Sequence, residues 1–168
     1  MLFEGDMTAA EVSQCALDIK SWFIRNKASK FLNESATSAD IQRLEKSLDC
    51  TLPRELKILL QEVNGCMFLK EKRQFSSEEI QENFGNLEKE KKWKDGLIPF
   101  AGDDSSYLVI DTRKSDEIYE WDADDGFGDS ISASLGDFLE KYRDDLLKGH
   151  YEFLGEAGVV EKMSRGKK

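Results

Sequence analysis

The sequence predicts an α+β domain: an antiparallel meander sheet covered on one face by helices. Three observations carry that expectation. Apolar residues recur at helical spacing over residues 8–28, 37–63 and again 134–149. Between them lie three short runs, LIPFA, SYLVID and EIYEW, rich in apolar, aromatic and β-branched residues. GDDS and RKSD separate these runs and are good turn material. Helices, then strands joined by tight turns, then one helix is an α+β order rather than a run of βαβ units.

The first helix places Val12, Ala16, Ile19 and Phe23 on one stripe. Thr8 and Glu11 have capping-box spacing at its start. Thr37 and Asp40 repeat that spacing before Ile41, Leu44 and Leu48. Pro53 then suits a first helical turn, where a missing N–H costs nothing. Leu56, Leu59, Leu60 and Val63 make the apolar face of that helix, and Asn64-Gly65 stops it. Residues 66–75 predict a short strand and turn, and Ser77 opens a helical piece carrying Ile80 and Phe84. Residues 86–96 are charged, with Leu87 and Trp93 as anchors of a surface helix or loop. After the three strands, DADDGFGDSISA predicts an acidic hairpin loop whose glycines serve its bends. Ser134 and Asp137 cap the last long helix, whose face is Leu135, Phe138, Leu139, Tyr142 and Leu146. HYEFLGEAGVV predicts a terminal extension or edge strand, and MSRGKK a basic tail.

A chain of 168 residues fits one domain and buries roughly 70% of its unfolded surface. Its 39% hydrophobic content supports a packed core and excludes general disorder. Three scattered cysteines, Cys15, Cys50 and Cys66, form neither a disulfide framework nor a CxxC metal pair, and suggest a reducing compartment. No apolar run approaches the roughly 20 residues that span a bilayer. The start, MLFEGDMTAAEVSQ, has no basic n-region and does not read as a secretory signal. A soluble, cytoplasmic protein is expected. The net charge of −10 is concentrated: residues 101–130 carry ten acids against two bases. That region repels nucleic acid and anionic membrane and favours a basic protein partner or a cation.

Catalytic and metal signatures fail one by one. Read as a calcium loop from Asp122, the glycine falls at position 5 where position 6 is required, and Ala133 stands where the closing glutamate belongs. Weak cation binding by Asp122, Asp124, Asp125 and Asp129 is the residual option. Asp103 and Asp104 are adjacent in extended chain and point apart, which is wrong for paired acid–base work. His150 is the only histidine and cannot build a multi-histidine centre. There is no GxSxG elbow, no GxxxxGK[ST] loop and no GxGxxG. The lysines around Trp93, at 89, 91, 92 and 94, are interleaved with acids and read as a solvated face rather than a nucleic-acid surface. An enzyme would have to combine Asp111 with Tyr119 or His150. No catalytic residue, metal ligand or cofactor is assigned.

Two segments together resemble the SUKH superfamily, which takes in cell-wall-synthesis regulators and toxin-immunity proteins. The first runs from Ile41, Leu44 and Glu45 through Leu52-Pro53 and Leu59-Leu60 to Asn64-Gly65. The second is Pro99-Phe100-Ala101-Gly102-Asp103, then Tyr107 to Asp111, followed by Tyr119, Trp121 and Asp122. The resemblance covers roughly residues 37–147. It implies a SUKH-like core over 37–149, with a helical extension at 1–36 and a C-terminal extension and basic tail at 150–168. It implies protein binding without catalysis: a regulatory or scaffold subunit or, as the alternative, an immunity protein that neutralises a toxin. A small-ligand or cation-binding regulator is a further alternative. Leu52, Pro53, Asn64, Gly65, Pro99, Phe100 and Gly102 are expected to be structural. Asp103, Asp104, Asp122, Asp124, Asp125 and Asp129, with Trp121 as an aromatic anchor, are expected to meet a basic protein partner.

Overall fold

Helix starts follow the caps written in the sequence. The computed structural model describes residues 7–162, so the basic tail at 163–168 lies outside the described residues. Helix α1, Ala9–Arg25, begins with a reciprocal box between Thr8 and Glu11, and α2, Ser38–Leu48, with one between Thr37 and Asp40. Helix α3, Arg54–Glu62, starts behind Pro53. The Leu52 amide ahead of it donates to Glu45 Oε2 at 2.8 Å, tying α2 to the α3 entry. That amide and the nearby Lys57 ammonium hold the Glu45 carboxyl below its ordinary value.

A short hairpin follows, β1 (Phe68–Leu69) and β2 (Lys72–Gln74). Helix α4, Ser77–Leu87, has its own Ser76–Glu79 box. Then come β3 (Leu97–Gly102), β4 (Tyr107–Asp111), β5 (Glu117–Asp122) and β6 (Gly126–Ser132). All six strands form one antiparallel meander in sequence order. The three expected strands are its centre. The segment expected as an acidic loop contributes β6, because the free backbone edge of β5 gives it a ladder to join. Helix α5, Leu135–Leu147, comes next. Its cap is one-way: Ser134 Oγ accepts from the Asp137 amide, while the Gly136 amide is taken by Glu55 Oε1 of α3 at 2.8 Å. A hairpin of β7 (Tyr151–Phe153) and β8 (Val159–Glu161) ends the described chain.

Strand alternation builds two cores of unequal size. Leu108, Ile110 and Ile118 enter the large one, against Val12, Ile19 and Phe23 of α1, Leu56 and Leu59 of α3, and Leu139 of α5. Helix α1, expected as an extension, packs on α3 and α5 and shares this core. Leu97, Val109 and Trp121 point to the other face, which Leu87 and Trp93 close. Pro99 is tolerated inside the sheet for a local reason. It sits at a β-bulge, beyond the two residues of β3 that β2 reaches, so no ladder bond needs its missing N–H.

Candidate functional site

Alternate turns of a meander emerge at the same end of the sheet. Gly102, Tyr107, Trp121 and Phe127 pair in one row across β3 to β6. The β3–β4 and β5–β6 turns therefore project together, bringing Asp103 and Asp104 to the same end as Asp122, Asp124 and Asp125. Asp129 stands apart from them, along β6 on the edge of the sheet.

The first acid of each turn holds that turn closed. Asp103 Oδ1 accepts the amides of Ser105 and Ser106, both at 2.9 Å, and Lys72 lies 3.6 Å from Oδ2. Burial works to raise the Asp103 carboxyl, but the two amides and Lys72 outweigh it and hold it below its ordinary value. Asp122 Oδ1 accepts the Asp125 amide at 2.7 Å. Asp104, Asp124, Asp125 and Asp129 are exposed, and their carboxylates have no hydrogen-bond or ion-pair partner among the described residues. Their charge is fully available to solvent or to a partner.

Trp121 corrects the expected surface. It is 1% exposed and cannot touch a partner. The alternation of β5 turns it away from Ile118, onto the face that Trp93 closes edge-on at 5.0 Å. Tyr107 packs beside it with ring centroids 6.3 Å apart. Trp121 thus supports the acidic end from below.

The residues expected to be structural define a second feature of this end. Asn64 Oδ1 accepts the Ser77 amide at 2.8 Å, so the residue that stops α3 also caps α4. Gly65 has φ of +98°, and a Cβ there would stand 2.5 Å from the Ser76 nitrogen. Only glycine lets the chain turn this close to the start of α4. At Gly102 a Cβ would come within 2.9 Å of both the Phe75 and Tyr107 rings. Phe100 is fully buried in the large core. Between the β3–β4 turn and the start of α4 this packing leaves a cleft of about 480 Å³, with Gln74, Phe75, Glu78, Asn83, Asp104 and Tyr107 among its lining. Sequence reasoning missed the cleft. Its one available signal was a glutamine at the end of a short strand, and that needs the strand register to interpret.

The remaining candidates do not converge. Asp111 pairs with Glu117 at the far end of β4 from Asp122, and its Oδ1 accepts the Arg113 amide. Val109, not Asp111, pairs with Tyr119. His150 is exposed beyond α5, with Nδ1 3.3 Å from Asp145. The three cysteines are free thiols. Among the described residues no group of three or more His, Cys, Asp or Glu is arranged to hold a metal ion. No helix among them is long and apolar enough to cross a membrane.

No curated protein matches the chain. A family model described as SMI1 / KNR4 family (SUKH-1) matches residues 35–141, which run from the approach to α2 into the middle of α5. The matched span contains the whole six-stranded meander and both acidic turns, so the chain belongs to the SMI1/KNR4 (SUKH-1) family of non-catalytic domains, whose general role is protein interaction or immunity.

Proposed function

We propose that this domain is a regulatory or scaffold module that receives a basic protein partner on the acidic end of its sheet. The observation that carries this is the placement of Asp104, Asp124 and Asp125 on two turns that project side by side, with their carboxylates unpartnered among the described residues. Carboxylates held in this way raise the local concentration of a positively charged surface and speed its arrival. Asp129 extends the same charge along the edge strand, and Asp103 and Asp122 add charge while fixing the turns. Trp121 acts by supporting Tyr107. The binding unit is residues 37–149, with the terminal segments as additions to it. The cytoplasm is the setting we infer, since three free thiols persist in a reducing compartment.

The test is affinity capture from native extract, comparing the wild-type chain with the variant Asp104→Lys, Asp124→Lys, Asp125→Lys. One stoichiometric basic partner, retained at low salt and lost with the variant, is the expected result. Equal recovery of that partner by the variant would overturn the assignment. The activity of the captured partner separates the two family roles: a toxin whose action the domain blocks one-to-one would make this an immunity protein.

A further inference from the structure

We propose that the cleft beside the acidic turns is the pocket for a single arginine guanidinium presented by the partner. This rests on the acidic-end function above and deepens it by naming one side chain and its seat.

The floor of the cleft asks for a hydrogen-bond donor. Gln74 is 1% exposed. Its Nε2 donates to Val63 O at 2.7 Å, and its Oε1 has no partner. A buried carbonyl oxygen left without a donor is an unfavourable state, and an N–H that reaches it as the side chain shifts toward the cleft relieves it. The rim offers more acceptors. The Glu78 and Asp104 carboxylates are exposed and unpartnered among the described residues. Asn83 Nδ2 donates to Glu79 O at 2.8 Å, which leaves its Oδ1 to accept.

The start of α4 also borders this cleft, and a helix start ordinarily attracts anions. Here three of its first four amides are already taken. Ser76 N donates to Glu79 Oε1, Ser77 N to Asn64 Oδ1 and Glu79 N to Ser76 Oγ. With these amides engaged and two glutamates in the first turn, the helix start does not oppose a cation. Arg73 is the one cation among the lining residues. Its guanidinium is already engaged: it lies over the Phe68 and Phe31 rings at 5.2 and 5.5 Å and donates to Cys66 Sγ, another lining residue.

The walls favour a planar cation over a point charge. Phe75 and Tyr107 meet at 6.2 Å and 61°, offering aromatic surface beside the acceptors. A guanidinium stacks on such surface while its fork of donors reaches separated oxygens, whereas an ammonium does not do both. Gly102 keeps both rings in place, since any side chain there would push them apart.

The test is a ¹⁵N NMR titration of the full chain with four small probes: N-acetyl-arginine amide, N-acetyl-citrulline amide, N-acetyl-lysine amide and inorganic phosphate. Citrulline keeps the shape of arginine and removes the charge. The expected result is saturable shifts at the Gln74 side-chain amide, Asn83 and Tyr107 with the arginine probe. Affinity should fall about ten-fold for citrulline and several-fold for lysine, with no response to phosphate. The double variant Glu78→Gln, Asp104→Asn, both at exposed positions, should weaken the arginine probe about five-fold or more. No saturable shift, an equal response to citrulline or lysine, or competition by phosphate would each overturn the proposal. Hexalysine forms a separate arm. If it shifts residues 124 and 125 while the cleft ignores arginine, the pocket fails and the acidic-end function stands. If the cleft takes arginine while 124 and 125 ignore hexalysine, the pocket stands and the wider function fails.

Discussion

The sheet ends on two unlike strands. At one side β1 is two residues long and covered. Val159 of β8 donates its amide to Lys70 O at 3.1 Å just past β1, and Phe68 packs between Phe31 and Phe153 at 5.3 and 6.2 Å. Phe153 in turn meets Phe23 of α1 at 6.1 Å. At the other side β6 is seven residues long, pairs only with β5 among the described residues, and carries two register shifts. Phe127 there is 36% exposed, packed on Tyr119, and Asp129 stands free. Both sides solve the same problem, an unpaired backbone edge that invites unwanted pairing. One solves it by burial, the other by bulges, glycines and charge. The covering pieces, α1 and the β7–β8 hairpin, lie outside residues 35–141. They close the edge remote from the acids and leave the acidic edge to solvent.

That contrast is broken most strongly at Phe68. Phe68→Ala empties a buried site shared by three elements and should destabilise the fold by about 3–5 kcal/mol in urea unfolding. Phe153→Ala removes a partly buried ring from the same cluster and should cost less, about 2 kcal/mol. If Phe153→Ala costs nothing, the hairpin does not cover that edge. The acidic edge should behave in the opposite way. The triple variant Asp124→Lys, Asp125→Lys, Asp129→Lys should change stability by no more than about 0.5 kcal/mol per site. Its association rate with a basic partner should fall by about ten-fold or more at low salt. A triple variant that unfolds would mean these acids hold the edge strand rather than greet a partner.

The two sides were also unequally legible. Thr8–Glu11 and Thr37–Asp40 were readable because a cap is a local pattern, and the Leu56 to Val63 stripe because a helix repeats it. β3, β4 and β5 were readable from their apolar and aromatic runs. β6 was not: GFGDSIS has weak strand propensity and becomes a strand only because β5 presents an open ladder. The Ser134 cap lacks its reciprocal half, and the neighbouring Gly136 amide goes to Glu55, 81 residues away, a contact no local pattern announces. At the site, the acids were visible as charge density, but their convergence needed the strand register. Trp121 was readable as a strand residue, but nothing local showed that Trp93 would cover its face of the sheet. The cleft was illegible because it joins Gln74, Glu78 and Tyr107 through register and packing, neither of which leaves a short-range trace.

Asp103 offers the smallest and most selective test, because it belongs to both sides. Its turn carries the acidic end, while its ion-pair partner Lys72 sits in β2, next to the covered edge. Its folded pKa lies below the ordinary 3.8. The stability this carboxylate contributes is therefore complete above the unfolded value and is lost as pH falls through the folded one. Asp103→Asn keeps an oxygen to accept the Ser105 and Ser106 amides but removes the charge. Urea midpoints followed downward from pH 5 should converge for wild type and variant below pH 3.8, with a gap of under about 1 kcal/mol above it, since the side chain is more than a third exposed and screened. Salt then divides the gap. Lys72 acts across 3.6 Å on a partly exposed carboxylate and its share should fade at high ionic strength, whereas the extra strength that a charged acceptor gives the amide bonds at 2.9 Å should persist. A gap that vanishes entirely in salt would assign Asp103 to the β2 ion pair. A gap that survives assigns it to the turn, and so to the geometry that presents Asp104 to the cleft.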